Sequence, residues 1–384
     1  MRLRFTQAHL TRSMHLSDCQ VSHGLMVLPF MGLNSMRARF AWSPRLVKRL
    51  RSLSLRIPCK LCRLLAVKYS HGALMALLAT RFEHPWWQSI RSDLLTVLKI
   101  EQSKDRLDWL NSQALQRSCR NGRGLNVVFI DQAQWSGKGY ESWIDRYGQV
   151  PTRLEGKGQW HDLFNALIWL TWPLSKSQLN RMHALAAPAQ AGTRGPMRDK
   201  ATLIDEQALV WLDLDPVLSD ALRDRDWHRL FVDERERWLR IDQAQGLFMV
   251  GHALYEKCLA PYKALTAHVL ILAVPSGLSV THAQGLGGPM QAENAQSQAR
   301  ANHVSPSLLD PWLARLLSDW IDAQTMRGLD DREQAVQSSK DAYLSDTLKL
   351  YPLPLLGVPG WHSDNQSPAF YNDRSVFRRP ANPN

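Results

Sequence analysis

Residues 158–170 are apolar on almost every side, a pattern that predicts a buried helix. Three polar residues interrupt this run: His161, Asp162 and Asn165. His161 and Asn165 are four positions apart, so they share one face of the predicted helix. Because a buried polar group without a hydrogen-bond partner costs free energy, the stripe predicts either a structural network or a functional site.

Apolar residues recur every three or four positions in several other segments, which predicts further helices at 86–98, 104–116, 176–186, 216–223, 227–239 and 244–259. Asp310-Pro311 has the residue types of a helix start and predicts another helix there. Short β-branched runs at 125–130 and 268–274 predict buried strands. Residues 202–204 and 208–213 flank Asp205-Glu206 and predict a hairpin near 202–213. The expected fold class is α+β, predominantly helical, with a few short strands.

Charge and tryptophan divide the chain near residue 80. Residues 1–80 contain 13 of the 47 Lys and Arg residues but only one acid, Asp18, whereas 81–384 contains 34 basic and 34 acidic residues. Fourteen of the 15 Trp residues lie in the second part, which therefore has the capacity to build a core. We expect 1–80 to be a basic extension, either disordered or upstream of the true start. We expect 81–384 to be a single globular domain with a mobile, Gly-, Ala- and Ser-rich loop at 277–306.

This division limits the partners that the sequence predicts. No nucleic-acid surface is expected on 81–384, because its charges balance; the arm 1–80 could contact anionic lipid or RNA if it is expressed. No segment approaches the roughly 20 apolar residues of a transmembrane helix. Five cysteines form no framework, and the lone C-x-x-C of Cys59 and Cys62 lacks a second pair. A cytoplasmic protein is predicted.

The sequence lacks the P-loop, dinucleotide-binding, nucleophile-elbow and H-E-x-x-H motifs. The remaining candidate chemistry lies in the predicted helix 244–259, where His252 and Glu256 are one turn apart. If this helix packs against helix 158–170, a cluster of two imidazoles and two carboxylates results, consisting of His161, Asp162, His252 and Glu256. Such a donor set suits zinc or manganese and could activate water.

These residues lead to two hypotheses that the sequence leaves open. The first is a soluble metal-assisted hydrolase acting on a phosphoester-type substrate, with Arg153, Asn165 and Tyr255 binding the substrate. The second is a non-catalytic binding or scaffold protein, in which the His, Asp and Asn stripes are structural hydrogen-bond networks. Asp205-Glu206 is expected to form only the hairpin turn.

Several motifs in a fixed order make the chain resemble an uncharacterised bacterial family, domain of unknown function 3025. The resemblance runs from about His84 to Pro380 and excludes the basic arm. It implies neither an activity nor a ligand, but it implies that the His161 and His252 segments belong to one shared design. The motifs are residues 150–153 (VPTR), 160–167 (WHDLFNAL), Leu179-Asn180 with His183, Asp205-Glu206, 251–257 (GHALYEK), 357–361 (GVPGW) and 368–371 (PAFY).

Overall fold

A computed structural model describes residues 80–186, 195–240, 246–274, 304–330 and 348–378. All of these residues belong to one unit of the chain, Ile57–Asn384. The predicted basic extension, up to residue 79, and residues 277–303 of the predicted mobile loop lie outside the described residues. The predicted domain plan therefore stays a prediction.

The described residues form an α+β fold in which helices predominate, as the sequence predicts. In chain order the helices are α1 Arg91–Lys99, α2 Ser103–Gln116, α3 Tyr140–Tyr147, α4 Gln159–Thr171, α5 Pro173–Leu185, α6 Pro196–Gln207, α7 Pro216–Arg223, α8 Arg235–Arg240, α9 His252–Cys258 and α10 Pro306–Asp330. The strands are β1 Val128–Asp131, β2 Gln149–Thr152, β3 Ala208–Leu212, β4 Leu247–Met249, β5 Thr266–Leu272 and β6 Leu350–Pro354. Among the described residues, no helix is both long enough and apolar enough to cross a membrane.

The larger sheet is mixed, with the strand order β4-β3-β5-β6. Strand β3 runs parallel to β5 and antiparallel to β4, and β6 runs antiparallel to β5. Every residue of β3 is buried, as expected for a central strand that lacks an exposed edge. Strands β1 and β2 form a separate parallel pair, and β2 leads towards α4.

The buried helix predicted at 158–170 is confirmed as α4, in which all residues from Leu163 to Leu170 are buried. It begins after Gly158, whose φ of 90° favours glycine. A Cβ at this position would also lie 2.5 Å from Nη1 of Arg153, so the flexible end of this side chain would have to shift. The helix ends where Pro173 opens α5.

The predicted hairpin near 202–213 is wrong. Residues 196–207 form helix α6, and the chain passes directly from this helix into β3, which pairs with β4 and β5 instead. Asp205 and Glu206 therefore lie in the last turn of a helix, not in a β-turn. Short apolar runs do not by themselves distinguish a helix end from a strand. Here one such run ends a helix and the next forms a strand.

The predicted helix at 244–259 is also wrong at 247–251, while residues 244–245 lie outside the described residues. Leu247–Met249 form strand β4 against β3, and the helix α9 starts only at His252. At the junction, the amides of Val250 and Gly251 both donate to the carbonyl of Ala208. Gly251 is required there because a Cβ would lie 2.5 Å from the backbone nitrogen of Gln207.

Asp310 does not start its own helix, since α10 already begins at Pro306. Its carboxylate instead accepts hydrogen bonds from the backbone amides of Leu174 and Ser175, each at 2.8 Å. These amides belong to the first turn of α5, where a helix leaves its N–H groups unpaired. A side chain from α10 thus caps a different helix.

Candidate functional site

His161 and His252 meet between helices α4 and α9. Their Nε2 atoms are 3.1 Å apart, and the ring centroids are separated by 4.5 Å at an interplanar angle of 74°. His161 lies in the first turn of α4, and His252 is the first residue of α9. The close approach of Gly251 to the end of α6 fixes where α9 begins, and hence where His252 lies.

The second nitrogen of each ring also has a partner. Nδ1 of His252 lies 2.7 Å from the backbone carbonyl oxygen of Asp205, one of the carbonyls that the end of α6 leaves unpaired. Nδ1 of His161 lies 3.1 Å from Oε2 of Glu256. A carbonyl oxygen only accepts hydrogen bonds, so Nδ1 of His252 carries a proton. A carboxylate oxygen also only accepts, so Nδ1 of His161 carries a proton where it faces Oε2 of Glu256.

The lone pairs of the two Nε2 atoms consequently face each other. They repel each other unless a cation lies between them. In the protein alone this cation is a proton on His161, which then donates to Nε2 of His252. The hydrogen bond that His161 donates to Glu256 raises the pKa of His161 above its usual value, whereas burial lowers the pKa of His252 to about 3. The pair is therefore built to hold one positive charge between two nitrogens.

A buried ion pair lies beside His252. Nζ of Lys176 donates to Oδ1 of Asp205 at 2.5 Å and to Oδ1 of Asn165 at 2.8 Å. Asn165 in turn donates to the hydroxyl of Tyr140 at 3.0 Å. Burial acts to raise the pKa of Asp205, but Lys176 and His252 lower it, and the pKa is about 2. This chain of contacts joins helices α3, α4, α5 and α6.

Three ligand-type side chains also surround the Asp205 carboxylate. Ligand atoms of Glu141, His183 and Asp205 all lie within 4.8 Å of one another. Glu141, His183 and Lys176 are not among the site residues predicted from the sequence. A signal was present for α5, because Lys176, Asn180 and His183 follow the spacing that places side chains on one face of a helix.

The other predicted site residues have different surroundings. Asp162 accepts a hydrogen bond from the backbone amide of Arg153, and among the described residues no hydrogen bond joins it to either histidine. The guanidinium of Arg153 donates to the carbonyl of Lys157 and so braces the loop before α4. The hydroxyl of Tyr255 is buried and donates to the carbonyl of Met249, so the structure does not bring it to the site. The predicted four-ligand set is thereby reduced to the two imidazoles, with Glu256 orienting one of them.

The site is reached from the side of His161 and Glu256. Their side chains are 39% and 43% exposed, whereas His252 is buried. The exposed side of the pair is therefore formed by His161 and Glu256, and His252 lies behind them. The site is thus a histidine pair with one half-exposed ring, and a buried hydrogen-bond network lies next to its buried ring.

Residues 127–381 match the family described as protein of unknown function (DUF3025). This match covers about two thirds of the chain, so the chain belongs to that family. Nothing matches the chain among the curated proteins or among the solved structures. The matched region contains both histidines and the buried network, but it begins later than the resemblance seen in the sequence, which started near His84.

Proposed function

We propose that this protein is a metal-assisted hydrolase that binds a divalent ion, zinc or manganese, between Nε2 of His161 and Nε2 of His252. The observation that carries the proposal is the convergence of these nitrogens at 3.1 Å while both Nδ1 atoms face acceptors. Histidines that bind metals generally donate their other N–H to a carboxylate or a backbone carbonyl. Glu256 and the Asp205 carbonyl supply one of each kind.

The spacing of the two nitrogens supports the same proposal. Bonds from zinc to imidazole nitrogen are about 2.0–2.1 Å long, so two such ligands of a tetrahedral ion lie roughly 3.3 Å apart. The observed separation of 3.1 Å is close to this value. Because His161 is half-exposed, a small rotation of its ring can accommodate the difference, while the hydrogen bond to Asp205 holds His252 in place.

Two protein ligands leave coordination positions for water and substrate. A bound divalent ion is a Lewis acid that lowers the pKa of its water and stabilises charge on phosphoryl oxygens, which favours a phosphoester substrate. Hydrolysis transfers the water oxygen to phosphorus, breaks the ester P–O bond and leaves a proton on the released alcohol. In this scheme Glu256 keeps the proton on Nδ1 of His161 and so leaves Nε2 free to bind the ion.

The direct test compares wild type with His252→Gln in metal content, in affinity for added Zn²⁺ and Mn²⁺, and in hydrolysis of phosphate mono- and diesters of nitrophenol. We expect His252→Gln to lose both the activity and tight binding at the histidine pair, and Glu256→Gln to weaken them by about 10- to 100-fold. His228→Gln is the matched control, because His228 is exposed and distant in sequence from both helices. Wild-type protein that binds neither ion, or a His252→Gln variant that keeps full activity, overturns the proposal.

A non-catalytic scaffold or binding protein is the second candidate. It is favoured by the buried contacts from Tyr140 through Asn165 and Lys176 to Asp205, which link four helices through side chains of the protein itself. Under this alternative, His161→Ala and His252→Ala lower the melting temperature and no separable activity exists. If both variants keep their melting temperature while a biological function is lost, the scaffold alternative fails.

The proposal includes a cytoplasmic location in a bacterial cell and, for residues 1–80, electrostatic contact with anionic lipid or RNA. In support of the first, the two cysteines among the described residues, Cys119 and Cys258, are both free and buried. In support of the second, the arm carries nearly all of the net charge. Co-sedimentation of the full chain with anionic vesicles should decline as salt rises; binding that persists in high salt, or that is equal on neutral vesicles, argues against it.

A further inference from the structure

A second group of metal-ligand side chains lies next to the histidine pair, where helices α3, α5 and α6 meet. It consists of Glu141, His183 and Asp205, whose ligand atoms lie within 4.8 Å of one another. We propose that these three residues form a second binding site for a divalent transition-metal ion. The inference goes beyond the proposed hydrolase, because it uses none of the nitrogens assigned to the first ion.

The three residues lie close enough for a modest adjustment to bring them onto one ion. Three atoms that bind a tetrahedral ion at about 2.0–2.2 Å lie roughly 3.3–3.6 Å from one another. The ligand atoms here all lie within 4.8 Å of one another, so binding an ion requires them to approach by at most about 1.5 Å. Glu141 and His183 are partly exposed and can move their side chains by this amount, whereas Asp205 is buried and fixed.

Free ligand atoms are present on both carboxylates. Lys176 occupies Oδ1 of Asp205. Among the described residues no hydrogen bond is donated to Oδ2, whose nearest recorded partner is Nδ1 of His252 at 3.8 Å. Oε2 of Glu141 accepts a hydrogen bond from the side-chain amide of Asn180. Among the described residues no hydrogen bond is donated to its Oε1. Lys176 offsets only one of the two carboxylate charges, so an ion here reduces the excess negative charge near Asp205.

Asn180 provides an independent indication of a ligand. It is 2% exposed, and its Nδ2 donates to the backbone and side-chain oxygens of Glu141. Its Oδ1 is buried, and among the described residues no donor reaches it. An amide oxygen in this state costs free energy, and water bound to a nearby ion would supply the missing donor. Asn180 is three residues before His183 and therefore shares its face of α5.

The donor set defines the class of ion. One imidazole and two carboxylates suit zinc and manganese, whereas an ion that takes only oxygen ligands would not use His183. Because the ammonium of Lys176 lies 2.5 Å from Oδ1 of Asp205, it repels any cation bound to the same carboxylate. We therefore expect this site to bind more weakly than a structural zinc site.

The experiment counts bound Mn²⁺ on the metal-free full chain, using the paramagnetic resonance signal of free Mn²⁺ during titration. Wild type should bind two ions and His252→Gln should bind one. Adding His183→Gln to His252→Gln should remove that remaining ion or weaken it at least tenfold. Glu141→Gln, which keeps the size of the side chain, should act in the same way and covers the case in which His183→Gln fails to fold.

The controls and outcomes separate this site from the histidine pair. His228→Gln and Glu101→Gln change an exposed imidazole and an exposed carboxylate, and neither should alter the count. If wild type binds a single ion, and this ion is lost in His183→Gln but kept in His252→Gln, the result supports the second site and overturns the proposed site at the histidine pair. A count that is insensitive to both His183→Gln and Glu141→Gln overturns this inference and leaves the hydrolase proposal standing.

Discussion

Replacement of Lys176 by Met removes the only cation that contacts the buried carboxylate of Asp205 among the described residues. The two side chains are almost completely enclosed, at 4% and 8% exposure, and are joined at 2.5 Å. Lys176 also donates to Asn165 and lies 5.3 Å from the ring of Trp169. Breaking a buried ion pair by removing one partner costs about 3–5 kcal/mol, because an uncompensated charge remains. That is a large part of the about 5–15 kcal/mol by which folded proteins are stable.

Urea unfolding at pH 7, followed by tryptophan fluorescence, measures the free energy of unfolding of each variant. The double variant Lys176→Met with Asp205→Asn should recover much of the loss, since no buried charge is then left unpaired. Arg181→Met is the matched control on the same helix. Its partner is Asp322, the two side chains are 36% and 55% exposed, and an exposed pair contributes about 0–1 kcal/mol.

The effect of Lys176→Met should also depend on pH. The pKa of Asp205 is lowered to about 2, so in wild type the pair stabilises the fold above the ordinary Asp value of about 3.9 and less as pH falls towards 2. The difference between wild type and variant should therefore shrink as the pH falls from about 4 to about 2. A loss no larger than that of Arg181→Met, or a difference independent of pH, would refute the reasoning.

Three further predictions concern stability. Burial lowers the pKa of His84 to about 4, so below pH 6.5 the unfolded chain binds more protons than the folded one. The free energy of unfolding should therefore fall by about 1–3 kcal/mol between pH 6.5 and pH 4. Urea unfolding curves of His84→Gln should lack this part of the decrease. Gly251→Ala places a Cβ 2.5 Å from the nitrogen of Gln207 and should cost about 1–3 kcal/mol in the same assay, whereas an unchanged midpoint contradicts the close approach. Asp310→Ala leaves two amides of α5 without their acceptor and should lower stability by about 1–2 kcal/mol by thermal unfolding; no loss would mean that water replaces the cap.

The apolar pattern determined much of the local structure. Continuous apolarity at 163–170 predicted the buried helix α4, and the spacing at 216–223 gave the bounds of α7 as observed. Such patterns are informative because helical periodicity and burial are recorded in neighbouring residues. They failed at 202–204 and at 247–250, where short apolar runs fit a helix end or a strand equally well.

The candidate site was predictable only in part. The sequence indicated that His161, His252 and Glu256 would come together if their helices packed, and the structure places them together. It gave no means of knowing that Glu256 faces His161, 95 positions away, and not His252 one turn before it. It also assigned Asp205 to a turn, whereas its carbonyl holds His252 and its carboxylate holds Lys176.

The sequence by itself determined the burial of α4, the bounds of α7 and where the net charge lies, because these properties depend on composition and on spacing within about two turns. Only the tertiary structure decided the partners of the buried polar groups. Asp310 capping α5 and Lys176 pairing with Asp205 both join different helices. Hydrogen bonds and ion pairs of this kind depend on how helices pack, and spacing along the chain does not record that geometry.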